Sequence, residues 1–173
     1  MLWRMEGSQR TRIRDLFKET RFLAGSEGSQ RDGQKLKHLA AVLQDERPRA
    51  LLPTDQGSLL LTDQRLVELL PHLEASGAYN VMAFQGYAMA RFFKVDTFRD
   101  VSYRRNALDP VIVKTADGGE KIIPQEEGIL RIRFGDEAVE FRLGPTQMRA
   151  GGDEGLREFE SILKESSGHA QAV

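Results

Sequence analysis

The sequence predicts an α+β fold: about seven antiparallel strands rolled into a small barrel, two helices before them and one after. Leu59–Leu69 consists of two apolar runs around a polar turn, the pattern of a β-hairpin. Ile129–Leu143 has the pattern of a second hairpin, and residues 153–167 that of an amphipathic helix. For the first segment, one amphipathic helix from Leu60 to Leu69 is the alternative, because short apolar runs alone do not separate the two states.

Composition bounds the function. The 173 residues suit one domain with an appendage, and the absence of cysteine excludes disulfides and thiol chemistry and favours the cytoplasm. Charges near the start leave no room for a signal peptide, and no apolar stretch is long enough to span a bilayer. A net charge of −1 argues against nucleic-acid binding, although residues 1–49 hold 11 basic against 7 acidic side chains.

The first element is a basic amphipathic helix over Arg10–Leu23, within an N-terminal unit of residues 1–24. Gly25–Gly33, rich in glycine and serine, reads as a flexible linker. A second helix is predicted from Gln34 to about Glu46, since Leu36, Leu39, Ala40 and Leu43 share one face. It should end there because Pro48 disfavours helical backbone at Arg47.

Strands dominate the centre of the chain. Ala50–Leu52 is predicted as a strand, followed by a turn over Pro53–Gly57 and the Leu59–Leu69 hairpin. Residues 70–90 fit either a short helix or an extra hairpin over the barrel mouth. The three-residue spacing of Val95, Phe98 and Val101 indicates a strand with a bulge or tight turn.

Turn signals divide the next part. Asp109-Pro110 is predicted as a turn, Val111–Val113 as a strand, Asp117–Gly119 as a turn and Lys121–Ile123 as a strand.

The register of the second hairpin can be derived. A two-residue turn at Gly135-Asp136 pairs Ile132 with Val139, Leu130 with Phe141, and Arg131 with Glu140. Apolar side chains then share one face and opposite charges share the other.

The closing helix begins at Asp153, a good N-cap, and carries Leu156, Phe159, Ile162 and Leu163 on one stripe. Gly168 is expected to follow its end, which makes residues 168–173 a disordered tail.

This plan resembles the bacterial pleckstrin-homology (PH)-like domain family over residues 34–167. Lys35–Leu43 followed by Asp45-Glu46 resembles the family's lead-in helix. Leu61-Thr62-Asp63-Gln64-Arg65-Leu66 resembles its Leu-Thr-x-x-Arg-Leu turn, and Val95–Val101 resembles a later apolar segment. Residues 71–89 would be an insertion.

The resemblance implies a non-catalytic interaction module that recruits protein or peptide partners, with self-association of subunits through strand edges. The loop Thr54–Gly57 lacks the basic cluster of phosphoinositide-binding members.

Enzymatic chemistry finds no support, because His38, His72 and His169 are scattered and no nucleophile, phosphate-loop or metal motif is present. We therefore expect no enzyme and no cofactor or metal.

Candidate contact residues lie in two places. The first set could touch a partner or, as the alternative function, a membrane surface; it comprises Trp3, Arg10, Arg14, Phe17, Lys18 and Arg21. The alternative for this helix is packing of Ile13, Leu16 and Phe17 on its own barrel. The second set, Arg104-Arg105, would form a basic rim facing a partner, or else a solvated loop.

Overall fold

Eight strands form two sheets, with one long helix between the first two strands and another after the last strand. The computed structural model describes residues 12–24, 33–55, 57–76 and 81–171, with backbone only for 33–35, 71–76, 81–90 and 168–171. The first sheet has five strands in the order β1-β2-β3-β4-β5, and the second has three in the order β6-β7-β8. The strands are β1 (Arg21–Phe22), β2 (Pro48–Pro53), β3 (Ser58–Thr62), β4 (Arg65–Ser76), β5 (Val81–Lys94), β6 (Phe98–Lys114), β7 (Glu120–Phe134) and β8 (Glu137–Leu143). The two long helices are α1 (Gly33–Val42) and α2 (Asp153–Gln171), and a helical turn at Pro145–Gln147 and a π-helical turn at Met148–Gly152 lead into α2.

The centre of the first sheet, at β3 and the adjoining leucines of β2, is buried on both faces, which explains the continuous leucine runs there. On β3, Leu59 and Leu61 face the core between the two sheets, whereas Leu60 faces a second cluster with Leu39 of α1. β3 and β4 pair as an antiparallel hairpin, with Leu60 opposite Val67. The predicted hairpin is confirmed, and the single helix over Leu60–Leu69 is wrong.

The main core lies between the sheets and is covered by α2. Phe159 and Leu163 are fully buried there, beside Leu130 and Ile132 of β7 and Phe98 of β6. The amphipathic stripe of the closing helix is thus confirmed. The helix does not end before Gly168 but continues to Gln171, so its backbone includes part of the predicted tail.

The barrel is wrong. In the described residues, strand pairing does not join the five-stranded sheet to the three-stranded sheet, so the wall does not close. β5 and β6 are consecutive in the chain, but the short 3₁₀ turn Val95–Thr97 separates them. This turn confirms the predicted break between Phe93 and Tyr103. The strands number eight in the described residues, rather than about seven.

The prediction of two N-terminal helices is also wrong, because among the described residues before β2 only α1 is a helix longer than about one turn. The predicted helix over Arg10–Leu23 is helical at 12–16 and then turns. Arg21–Phe22 instead forms β1, which pairs parallel to β2 through Arg21–Ala50 and Phe22–Leu51. The second helix stops at Val42, before its predicted end near Glu46. The predicted linker lies outside the described residues, except Gly33, where α1 begins.

Residues 70–90 take the hairpin alternative rather than the helix. β4 and β5 remain paired as far as Ser76 and Val81. The pairing shifts register between Leu70 and Pro71, where proline cannot donate a ladder hydrogen bond.

The predicted turn at Asp109-Pro110 is wrong. β6 runs unbroken from Phe98 to Lys114, and the Asp-Pro pair forms a bulge opposite the single residue Pro124. The turn at Asp117–Gly119 is confirmed: Thr115 N donates to Gly119 O at 2.9 Å, and Gly118 has a φ of 83°.

The derived register of the second hairpin is confirmed at all three predicted pairs. Gly135 has a φ of 62°, which suits the mirror-type turn of a two-residue loop.

Candidate partner-binding surface

A two-stranded ribbon extends from the three-stranded sheet. The pairing of β7 with β8 ends at Gly128–Leu143, whereas β6 and β7 stay paired to Lys114–Glu120. Residues 120–127 of β7 therefore have β6 as their strand neighbour and no β8 residue opposite. At about 3.4 Å per residue, the ribbon is about 27 Å long.

Both faces of the ribbon tip are apolar. Ile112 pairs with Ile122 on one face, and Val111 pairs with Ile123 on the other, beside Val113. Ile112 and Ile122 are 61% and 65% exposed. An isolated two-stranded hairpin is at best marginally stable in water, so an apolar ribbon of this kind gains stability from a cover.

Apolar exposure is concentrated on the ribbon. Of the seven large apolar side chains exposed in the described residues, five belong to it. These five are Leu108, Val111, Ile112, Val113 and Ile122. Clustered exposed apolar groups mark interaction surfaces, whereas single ones are ordinary.

The outer edge of β6 is open. β6 is the terminal strand of its sheet, paired with β7 on one side. All residues from Arg104 to Lys114 are exposed. Such an edge presents unpaired backbone groups to a further strand. Pro110 and the bulge interrupt the edge, which limits indiscriminate pairing.

Arg104 and Arg105 do not form one rim, because neighbouring strand residues point to opposite faces. Arg105 bonds Glu126 at 2.6 Å and lies 3.9 Å from Asp153, beside the start of α2. Arg104 is on the other face, 65% exposed, with Glu140 at 4.0 Å. Arg104 is thus the more exposed of the two and the one without a carboxylate closer than 4.0 Å.

A polar cluster sits beside Arg105. The Tyr103 hydroxyl donates to Asp153, and Arg157 contacts the same carboxylate at 3.2 Å. Burial and then the hydrogen bond to Asp153 raise the pKa of Tyr103 above its ordinary value of 10. The bond from Tyr103 lowers the pKa of Asp153.

A shallow cavity of about 150 Å³ lies next to this cluster and is lined by Arg105, Glu126, Met148, Arg149 and Asp153. Its charged groups are bound to each other or, for Arg149, to Gln125 Oε1 at 3.1 Å. This arrangement holds the ribbon base against α2 and presents no activated nucleophile.

No family model, curated protein or solved structure matches this chain. Across the described residues, no group of three or more acidic or histidine side chains is placed to hold a metal ion. None of the helices searched in that part of the chain is long and apolar enough to cross a membrane.

The N-terminal candidates separate into buried and exposed residues. Phe17 is 4% exposed and packs in the cluster that contains Leu39 and Leu60, so its ring is not available to a partner. Arg14 and Lys18 are exposed, and Arg21 bonds Glu158 of α2 at 2.6 Å. Trp3 and Arg10 lie outside the described residues.

Sequence reasoning missed the ribbon as a site. It identified the two strands but took their apolar residues as part of a barrel wall. The available signal was that Val111–Val113 and Ile122-Ile123 are apolar at consecutive positions, a pattern typical of strands buried on both faces. In the structure Val111–Val113 and Ile122 are exposed and have no such cover.

Proposed function

We propose that this protein is a non-catalytic interaction module and that the β6–β7 ribbon, residues 106–127, binds its protein partner. The supporting observation is the concentration of exposed apolar side chains on this one projection. A partner that covers Ile112 and Ile122 would remove two well-exposed isoleucines from water.

The surrounding structure supports the same function. Tyr103 and Arg105, at the base of the ribbon, both contact Asp153 of α2. These contacts hold the base of the ribbon in place and leave its apolar tip exposed. The resemblance to the PH-like family, whose members recruit partners, stays a prediction that points the same way. We propose a cytoplasmic setting, which the cysteine-free sequence supports.

The membrane alternative lacks a comparable observation. Its apolar anchor was to come from the N-terminal helix, and the Phe17 side chain is buried against the first sheet. Of the large apolar side chains in residues 12–24, Leu16 is exposed, at 38%.

Site-specific photo-crosslinking in cells tests the proposal. A photoreactive phenylalanine analogue replaces Ile112 in one variant and the exposed Thr146 in a control. We expect a protein adduct from position 112 that is absent from position 146 and decreases when Ile122→Thr is added. An adduct common to both positions, or none from position 112, would contradict the proposal.

A further inference from the structure

We propose that the partner adds a strand along the open edge of β6, with three consecutive apolar residues beside Val111-Ile112-Val113 and a carboxylate opposite Arg104. This inference rests on the proposed function and names the chemistry of the partner. It combines three features of β6: an open edge, a tip that is apolar on both faces, and Arg104 at a fixed number of strand positions from the apolar residues.

The edge provides the backbone interaction. β6 has β7 on one side, and its residues 104–114 are exposed over their whole length. An extended segment beside them would complete the hydrogen bonds that an edge strand leaves open.

The tip determines the partner's apolar pattern. Side chains of an added strand alternate between the two faces of the sheet. Here Ile112 is exposed on one face, and Val111 and Val113 are exposed on the other. A segment with one apolar face would cover only part of this surface, whereas three consecutive apolar residues cover both faces.

Arg104 determines the charge and its position. Its side chain is 65% exposed, and its carboxylate neighbour, Glu140 at 4.0 Å, also contacts Arg142 at 3.2 Å. Arg104 therefore has room for a further acidic partner, which would form a charge-assisted hydrogen bond.

The spacing follows from the register. Arg104 pairs with Ile129 and Val111 with Ile123, because the bulge adds one residue to β6. The distance from Arg104 to Val111 therefore equals six residues on a regular strand. Because side chains alternate between faces, an even spacing places Arg104 and Val111 on the same face. In an antiparallel partner, the carboxylate follows the third apolar residue by six positions.

A second copy of β6 fits this edge less well. Antiparallel pairing centred on Ile112 would match the two apolar runs. The residue opposite Arg104 would then be Gly119, which has no side chain and lies in the turn beyond the end of β6 at Lys114, where extended pairing has already ended. A lipid bilayer also fits less well, because the ribbon's leading turn contains Asp117 and is flanked by Lys114 and Glu120.

A defined peptide tests the inference on the full chain. The probe is fluorescein-labelled Val-Ile-Val-Thr-Val-Thr-Thr-Thr-Glu, and the matched control ends in Lys instead of Glu. By fluorescence anisotropy at low salt, we expect the wild type to bind the Glu peptide about fivefold more tightly than the Lys peptide. Arg104→Glu should reverse this order, and both preferences should weaken at high salt.

Two further variants separate the possible failures. The first variant combines Ile112→Thr with Ile122→Thr and should bind both peptides more weakly. The second adds Arg133→Glu, at an exposed arginine of β7, to Arg104→Glu; this double variant should prefer the Lys peptide to the same extent as Arg104→Glu alone. Equal binding of the two peptides, or binding of neither, would overturn the acidic-strand inference, even if position 112 still crosslinks to a protein and supports the proposed function. A concentration-dependent dimer that crosslinks at position 112 would also overturn it, in favour of a second copy.

Discussion

Glu46 and Arg65 form a buried ion pair that joins the segment before β2 to the turn between β3 and β4. The Glu46 side chain is fully buried, and Arg65 Nε donates to both of its carboxylate oxygens at 3.1 Å. Thr62 Oγ1 donates to the same carboxylate at 2.7 Å, and Arg65 Nη2 donates to Val42 O at 2.8 Å. The pair therefore connects the end of α1, the chain before β2 and the hairpin.

Removal of Arg65 should destabilise the fold strongly. Arg65→Ala leaves the Glu46 carboxylate buried without its cation, and we expect a loss of about 3–5 kcal/mol in the free energy of unfolding. Urea denaturation measures this change.

Two controls accompany that measurement. Arg133→Ala removes an exposed arginine and should change the stability by about 0.5 kcal/mol or less. The double replacement Glu46→Leu with Arg65→Leu removes both charges and should cost less than Arg65→Ala alone. If the double variant is the less stable of the two, the loss comes from arginine packing and not from the orphaned charge.

The same pair predicts a pH dependence. Burial alone would raise the pKa of Glu46, but hydrogen bonds from Arg65, Thr62 and the Gln44 backbone outweigh it and hold the pKa below its ordinary value of 4.5. A carboxyl with a lowered pKa stabilises the fold above its unfolded pKa and loses this contribution as the pH falls through its folded pKa. We expect wild type to be more stable than Glu46→Gln at pH 7, with a difference that shrinks below about pH 4.5. A pH-independent difference in urea denaturation would contradict this origin.

Local sequence patterns predicted the individual strands and helices better than they predicted how these pack together. The Gly135-Asp136 hairpin was derivable because a two-residue turn and alternating side chains fix its register. The Asp109-Pro110 turn was not, because in this edge strand the proline fits into a bulge and β6 continues. The residues of the helix predicted to Leu23 have helical spacing, but pairing of Arg21 and Phe22 with β2 overrides it. Closure of a barrel depends on whether distant edges pair, which no local pattern reports.

Tyr103 provides a spectroscopic prediction. Its pKa is raised first by burial and then by the bond to Asp153, so ultraviolet titration should show a tyrosine that ionises above the ordinary value near 10. Tyr103→Phe assigns that tyrosine by its disappearance. Asp153→Asn should lower the pKa of Tyr103 only part of the way to its ordinary value, because the burial of the tyrosine remains. An unchanged titration curve in Asp153→Asn would show that the carboxylate contributes nothing.

Gly57 predicts a steric requirement in the turn between β2 and β3. A Cβ atom at this position would lie 1.9 Å from Leu69 O, a backbone atom that cannot rotate away. Gly57→Ala should therefore lower the free energy of unfolding by about 1–3 kcal/mol. Gly119→Ala is the matched control, because its nearest neighbour is the exposed Thr115 hydroxyl at 3.1 Å. Equal losses in the two variants would contradict this explanation.

The candidate site was only partly predictable. Arg104 and Arg105 were recognised as a basic pair in a rim or a loop, but their division between two faces follows from the continuous strand that replaces that rim or loop. Phe17 could have been a contact residue or a residue packed on the protein's own strands, and its burial, which follows the second alternative, depends on α1 and the first sheet packing around it. Such outcomes require the tertiary arrangement, because one sequence pattern serves a core and an interface equally well.

The ribbon should matter for binding and not for folding. Ile112→Thr with Ile122→Thr replaces two side chains that are mostly in water, so the free energy of unfolding should change by about 0.5 kcal/mol or less. Leu130→Ala, at a fully buried position of the same β7 strand, should cost about 2–5 kcal/mol. Thermal or urea denaturation measures both changes in stability. Although the ribbon variant remains folded, a photoreactive residue at position 111 should no longer form an adduct with the partner in it. A large loss of stability in the ribbon variant would instead mean that its isoleucines are covered in solution by the protein's own chain, and the ribbon would then be part of the core.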